Sequence, residues 1–286
     1  MMDNKKAESS LPFVLKGLVL VVGLIVVSAA LSRILPQTSD WSDVYRPAAI
    51  NLITGKSPFA IHNYVAPPWV LIPIIPLAVL PEQIGRVAIF WITISSFAFL
   101  AKKNGANIFC IIALIISYPV VYGLIYGQID WLAMFGILLP PWLGLIFLMA
   151  KPQIGIGVAL FLGYEAWAGG GIKKLVSIFL PLACLVIVSY IVFGSDLFTK
   201  SNLVFSPTNT SLWPRSIPIG LVILVAAVRH KKKFLSMTAS PFLSPYLSIH
   251  SWASAIVGLS DDPVFPIVIS VCTWVIWALG GGAVNG

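Results

Sequence analysis

The chain has 286 residues, of which 58% are hydrophobic and only 10% charged, with a formal net charge of +8. Soluble domains carry about 25% charged residues, so a single aqueous fold is excluded as a home for this much apolar surface. The basic residues gather at the ends of apolar runs, which argues for orientation in a membrane rather than for a nucleic-acid partner.

In lipid, only helices or a closed barrel satisfy the backbone. Barrel strands alternate in polarity, whereas Leu18–Ala30, Ile108–Ile116 and Leu175–Val192 are continuous apolar runs. The chain therefore predicts an all-α, polytopic transmembrane bundle of about 10 membrane segments, some short or broken. It reads as a single domain over residues 1–286.

Lys5 and Lys6 predict a cytoplasmic tail over 1–11, followed by an uncleaved first span over 12–35. A first outer loop over 36–83 carries Asp40, Asp43 and Arg46. Within it, Ala66–Leu80 is apolar but short and punctuated by Pro67, Pro68, Pro73 and Pro76. Prolines break the helical ladder, so this piece is expected to be re-entrant or to lie at the interface. A second span (84–101) runs inward to Lys102-Lys103, and a third (106–125) runs outward. Trp131–Ala150 is split by Pro140-Pro141 into halves too short to cross, which predicts a hairpin with Lys151 back at the outer side. Spans over 154–168 and 175–194 flank Lys173-Lys174, and a second outer loop covers 195–216. The next span ends at Arg229–Lys233, and spans over 235–258 and 264–280 complete the bundle. This scheme sets every basic cluster inside, and Asp40, Asp43, Glu82, Asp130, Asp196, Asp261 and Asp262 outside. The N-terminus is then cytoplasmic in a multi-pass protein of a cell membrane, with a bacterial inner membrane expected.

Cys110, Cys184 and Cys272 lie far apart in apolar runs and predict neither a disulfide nor a zinc site. There is no phosphate-binding glycine loop, dinucleotide fingerprint, metalloprotease motif or nucleophile elbow. No metal and no cofactor are expected. What remains is a polar set on the outer side: Asp40, Asp43, Tyr45, Arg46, Tyr64, Gln128, Asp130, Lys151, Gln153, Arg215 and His250. Ionisable groups at membrane depth are functional by default. Plain alternatives stand beside this: Asp40 or Asp43 as a helix cap, Lys151 snorkelling to the interface, Gln128 or His250 bridging helices, and the aromatics as a belt.

Five motifs occur in order: Asp40–Ala48 (Asp-Trp-x-x-x-Tyr-Arg-Pro-Ala), Leu52–Phe59, Tyr64–Pro68, Tyr126–Asp130 (Tyr-Gly-Gln-x-Asp) and Ala150–Gln153 (Ala-Lys-Pro-Gln). Together they resemble the polyprenyl-phosphate-dependent membrane glycosyltransferases of the GT-C superfold, in particular the alpha-mannosyltransferase-like family 87. A Ser244-Pro245-Tyr246 to Trp252 stretch is similar to that family's C-terminal region. Where the family often has Gly-Gln-x-Asn, this chain has Asp130.

The resemblance implies transfer of a sugar, with mannose expected, from a polyprenyl phosphate to a lipid, glycan or protein acceptor at the outer face. The transfer would be inverting and metal-independent. Asp40 would be the general base, and Lys151 would pair with the leaving phosphate, assisted by His250 or Arg215. Gln128 and Asp130 would hold sugar hydroxyls, and Tyr64 and Trp69 would line the pocket. Asp43, Tyr45, Arg46 and Gln153 would complete the substrate-binding set. The expected partners are membrane lipids and the lipid-linked donor. A non-catalytic subunit of a larger membrane complex is the competing reading, and a transporter with broken helices is the third.

Overall fold

The structure is a computed structural model that describes residues 4–199 and 208–279. It is helical throughout, with no strand among the described residues. Among the described residues, three helices are long and apolar enough to cross a membrane: Leu15–Ile34, Glu82–Lys103 and Pro152–Phe193. Ile108–Ile116 and Tyr118–Tyr126 make a fourth if their 57° bend is taken inside one span. That is fewer than the segments expected, because several expected spans are short or broken helices.

The first helix, α1 (Asn4–Ile34), starts earlier than expected, so residues 4–11 are helical rather than a loose tail. It leans on the rest of the chain through few contacts, one being Trp91 Nε1 donating to Ser28 Oγ at 2.9 Å. Residues 36–81 then fold as a cap. A π-helical turn (Asp40–Tyr45) leads into α2 (Arg46–Ile53). Two 3₁₀ turns (Pro58–Ala60 and Pro68–Ile74) and the short α3 (Ile75–Ala78) follow. The prolines explain the short elements, since each removes a backbone donor. The cap has its own apolar core around Trp41, Tyr64, Leu71 and Ile74.

The bundle core is separate. It is built on α4 (Glu82–Lys103), α5 (Ile108–Ile116), α6 (Tyr118–Tyr126) and a hairpin of α7 (Asp130–Phe135) and α8 (Pro141–Leu148). The expected hairpin at Pro140-Pro141 is therefore present. Its arms cross closely: a Cβ at Gly136 would come within 2.6 Å of the Gly144 carbonyl oxygen. The expected single span over 106–125 is bent, because Ser117 is extended ahead of Pro119 (φ −63°, ψ 145°).

Next comes α9 (Pro152–Phe193), 42 residues with a non-helical Gly171 (φ 62°, ψ −155°). A straight helix of that length would reach about 63 Å, twice the hydrocarbon thickness. Instead the chain folds back at Gly171, and Gly163 faces the Phe179 ring. Both arms line an apolar groove of about 810 Å³, from Met149 and Ile156 to Trp167 and from Leu175 to Leu182. The second outer loop is described as α10 (Asp196–Thr199) and residues 208–216, while 200–207 lie outside the described residues.

The largest departure follows α11 (Ile217–Arg229). Residues 235–258 were expected to form one span. They form instead α12 (Lys233–Leu243), a loop with a 3₁₀ turn (Ile249–Trp252) and α13 (Ala253–Gly258), which returns alongside α12. Thr238 Oγ1 donates to the Ala255 carbonyl at 3.2 Å, and a Cβ at Gly258 would sit 2.7 Å from the Phe234 carbonyl oxygen. Ser244 is extended before Pro245, as pre-proline sterics require, and the helix stops there.

This hairpin corrects the sidedness of Asp261 and Asp262. They were expected at the end opposite Arg229–Lys233. Asp261 instead pairs with Lys232 at 2.7 Å and lies beside Gly105, just past Lys102-Lys103. The last helix, α14 (Val264–Leu279), runs along α5 and α6, where Trp274 Nε1 donates to the Ile116 carbonyl at 2.8 Å.

Candidate functional site

The site forms where the cap, the α7–α8 hairpin and the tip of the α12–α13 hairpin meet. Three local devices set it up. Ser39 and Asp43 cap the π-helical turn reciprocally: Ser42 N donates to Ser39 Oγ at 3.2 Å and Ser39 N to Asp43 Oδ2 at 3.0 Å. Gly127 ends α6 in the left-handed region (φ +67°), and a Cβ there would lie 2.7 Å from Trp41 Cβ. Only glycine meets both demands, and it brings Gln128 against Asp40. Lys151 precedes Pro152 and leaves the helical region (φ −131°, ψ 89°), which turns its side chain in between α8 and α9.

Asp40 accepts a hydrogen bond from Gln128 Nε2. Gln128 Oε1 accepts from Lys151 Nζ at 2.9 Å and from Tyr45 Oη at 3.3 Å. Lys151 forms an ion pair with Asp130 Oδ1. His250 Nδ1 meets Asp130 Oδ2 at 2.5 Å, and a carboxylate only accepts, so the imidazole carries its hydrogen there. Lys151 also stands 5.8 Å from the Tyr45 ring centroid. Gln128, Asp130, Lys151 and His250 retain only 4%, 2%, 7% and 6% exposure, whereas Asp40 is half-buried. One chain of contacts thus links residues 40, 128, 151, 130 and 250.

Burial pushes the Asp40 carboxyl above its usual range; the charges of His250 and Lys151 offset this only in part. Burial would raise Asp130 too, but His250 and Lys151 outweigh it and hold that carboxyl below the usual range. Two carboxylates in one cluster are therefore pushed apart, one toward protonation and one locked as an anion.

The other expected site residues divide. Tyr45 joins the network. Asp43 caps the turn and faces solvent rather than a substrate cavity. Arg46 reaches away to the Leu80 carbonyl (3.4 Å) and Glu82 (4.0 Å). Tyr64 is sealed in the cap core, donating to the Pro67 carbonyl at 3.0 Å. Trp69 donates to the Ile146 carbonyl at 3.2 Å, tying the cap to α8. Tyr64 thus packs the interior instead of lining a pocket, while Trp69 stays half-buried between the cap and α8. Gln153 is half-buried at the start of α9 and makes no hydrogen bond to the network. Arg215 is exposed and stands outside it.

Two features escaped the sequence reading. Arg86, 6% exposed on α4, donates to the Ile125 carbonyl at 2.8 Å and has an unpartnered Nε; a charge inside an apolar run was its signal. The tyrosines of α6 recur every fourth residue (Tyr118, Tyr122, Tyr126), which sets them on one helix face beside His250. Among the described residues no three His, Cys, Asp or Glu side chains gather as a metal site. Compared with family models, with curated proteins and with solved structures, the chain finds no match.

Proposed function

We propose that this chain is a multi-pass membrane glycosyltransferase, N-terminus cytoplasmic, that moves a sugar from a polyprenyl phosphate to an acceptor at the outer face. The observation that carries this is the convergence of Asp40, Gln128, Lys151, Asp130 and His250, spread over more than two hundred residues, on one end of the bundle. Asp40 has the attributes of a general base: it is the least buried member, and its carboxyl is held up toward neutrality. It takes the proton of the acceptor hydroxyl, whose oxygen attacks the anomeric carbon as the bond to the lipid phosphate breaks. An ammonium has three hydrogens, and Gln128 and Asp130 occupy two on Lys151. The Tyr45 side chain stands against the same ammonium, so Lys151 is a fixed cation whose charge stabilises the departing phosphate. The apolar groove that begins at Met149, two residues from Lys151, suits the prenyl tail.

Purified protein given polyprenyl-phosphate mannose and mannoside acceptors is expected to release polyprenyl phosphate and form a glycoside of inverted anomeric configuration. Absence of transfer across the acceptors would contradict the proposal. One observation favours a second reading, a non-catalytic membrane subunit: Asp130, Lys151 and His250 satisfy one another, as a purely structural clamp would. That reading predicts stable co-purification with partners and indifference to Asp40→Asn.

A further inference from the structure

We infer that Tyr122 and Tyr126 form the platform on which a pyranose ring of the acceptor stacks. This inference rests on the glycosyltransferase reading and assigns the acceptor a chemical class. The two rings lie 4.5 Å apart and tilted by 32°. Tyr122 also lies nearly parallel to the His250 imidazole, at 6.4 Å and 11°, so the buried network backs the platform. Tyr118 follows at 6.0 Å and Trp274 at 5.2 Å beyond it, extending the strip along α6 and α14. The Tyr126 end is the reactive end, since Gly127 rests on Trp41 and Gln128 bonds Asp40 in the next two residues.

Hydroxyl bookkeeping separates the tyrosines of α6 from Tyr45, Tyr64 and Tyr246. Tyr45, Tyr64 and Tyr246 bond Gln128, the Pro67 carbonyl and Ser248. Tyr122 and Tyr126 are half-buried, and neither hydroxyl is among the buried polar atoms left without a partner, so both stay within reach of a ligand. A pyranose offers an apolar C–H face to a ring and a rim of hydroxyls to a phenol. A prenyl chain would use the rings but make no use of the two reachable phenols, whereas a sugar rim can hydrogen-bond both. The arrangement therefore fits a sugar and not a second lipid tail. Of the two aromatics expected to line the pocket, Tyr64 is buried in the cap core and Trp69 is half-buried with its Nε1 donating to the Ile146 carbonyl.

The test is binding of methyl α-1,6-mannobioside to the full chain in a detergent without sugar headgroups, followed by titration, with kinetics on polyprenyl-phosphate mannose alongside. Tyr122→Leu and Tyr126→Leu are expected to raise the mannobioside Kd and acceptor KM by about two- to tenfold, the range of an aromatic contact. The donor KM should stay unchanged. Tyr122→Phe and Tyr126→Phe, which keep the fold and the ring, should give a smaller rise through the lost hydroxyl. Equal affinity in wild type and all four variants, no saturable binding by wild type, or a change in donor KM alone would overturn the inference. Titration of Asp40→Asn separates it from catalysis. Mannobioside bound through these tyrosines by wild-type protein that transfers nothing would sink the transferase reading and leave the platform standing.

Discussion

The α7–α8 and α12–α13 hairpins enter the bundle from opposite ends, and they differ in where their charges sit. The α7–α8 hairpin is closed at its base by Asp130 and Lys151, both buried. The α12–α13 hairpin is closed at its base by Lys232 and Asp261, with side chains 56% and 32% exposed. Its tip, fastened to residues 208–216 by Thr210 N donating to the Leu247 carbonyl at 2.7 Å, delivers His250 to Asp130. The two ion pairs look alike in sequence, but one lies in a medium that cannot solvate a lone charge and the other lies in reach of water. The same chemistry can therefore organise a site in one place and do little in the other.

The largest stability effect should come from breaking the buried pair. Asp130→Ala leaves the buried Lys151 ammonium uncompensated and the His250 Nδ1 hydrogen without its acceptor, and is expected to destabilise the protein by about 3–5 kcal/mol, read by thermal unfolding in detergent. Asp130→Leu combined with Lys151→Met should recover much of that stability while losing transfer. A double variant no more stable than Asp130→Ala would show that the pair is not the unit described.

The pH dependence gives an intermediate effect. Asp40 has a carboxyl raised by burial, and a base must be ionised. Transfer should therefore fall about tenfold per pH unit on the acid side, with a midpoint above the ordinary aspartate value. For Asp130 the sign is opposite. Its carboxyl is depressed on folding, so its contribution to stability is present above the unfolded value near ~3.9 and is lost as pH falls below that. Transfer should thus fail on acidification before the fold does. Coincident loss of both would break the distinction between the two carboxylates.

The smallest effect belongs to the exposed pair. Asp261→Ala should cost at most about 1 kcal/mol and lose even that in high salt. A cost as large as that of Asp130→Ala would overturn the contrast between the hairpins.

Much of this was legible in the sequence, and for a physical reason. Pro140-Pro141 leaves two halves each too short to cross, so the first hairpin could be deduced from length alone. Asp40, Gln128, Lys151 and His250 stood out because polar groups are costly among apolar runs. The second hairpin was hidden because 235–258 is long enough for one span, and its two Ser-Pro steps, Ser240-Pro241 and Ser244-Pro245, read equally as kinks. Tyr64 was misplaced because a tyrosine near an interface looks the same whether its ring faces a cavity or a cap core. Asp43 looked like a ligand and serves as a cap, a choice that depends on one backbone N–H three ångströms away.

The most direct test compares the two aspartates of the cap turn. Sugar transfer from polyprenyl-phosphate mannose is measured for wild type, Asp40→Asn and Asp43→Asn under one set of conditions. The account predicts a loss of about 10²-fold or more for Asp40→Asn and a rate within about twofold of wild type for Asp43→Asn, whose cap hydrogen bond asparagine retains. Near-normal transfer in Asp40→Asn, or a larger loss in Asp43→Asn, would contradict it.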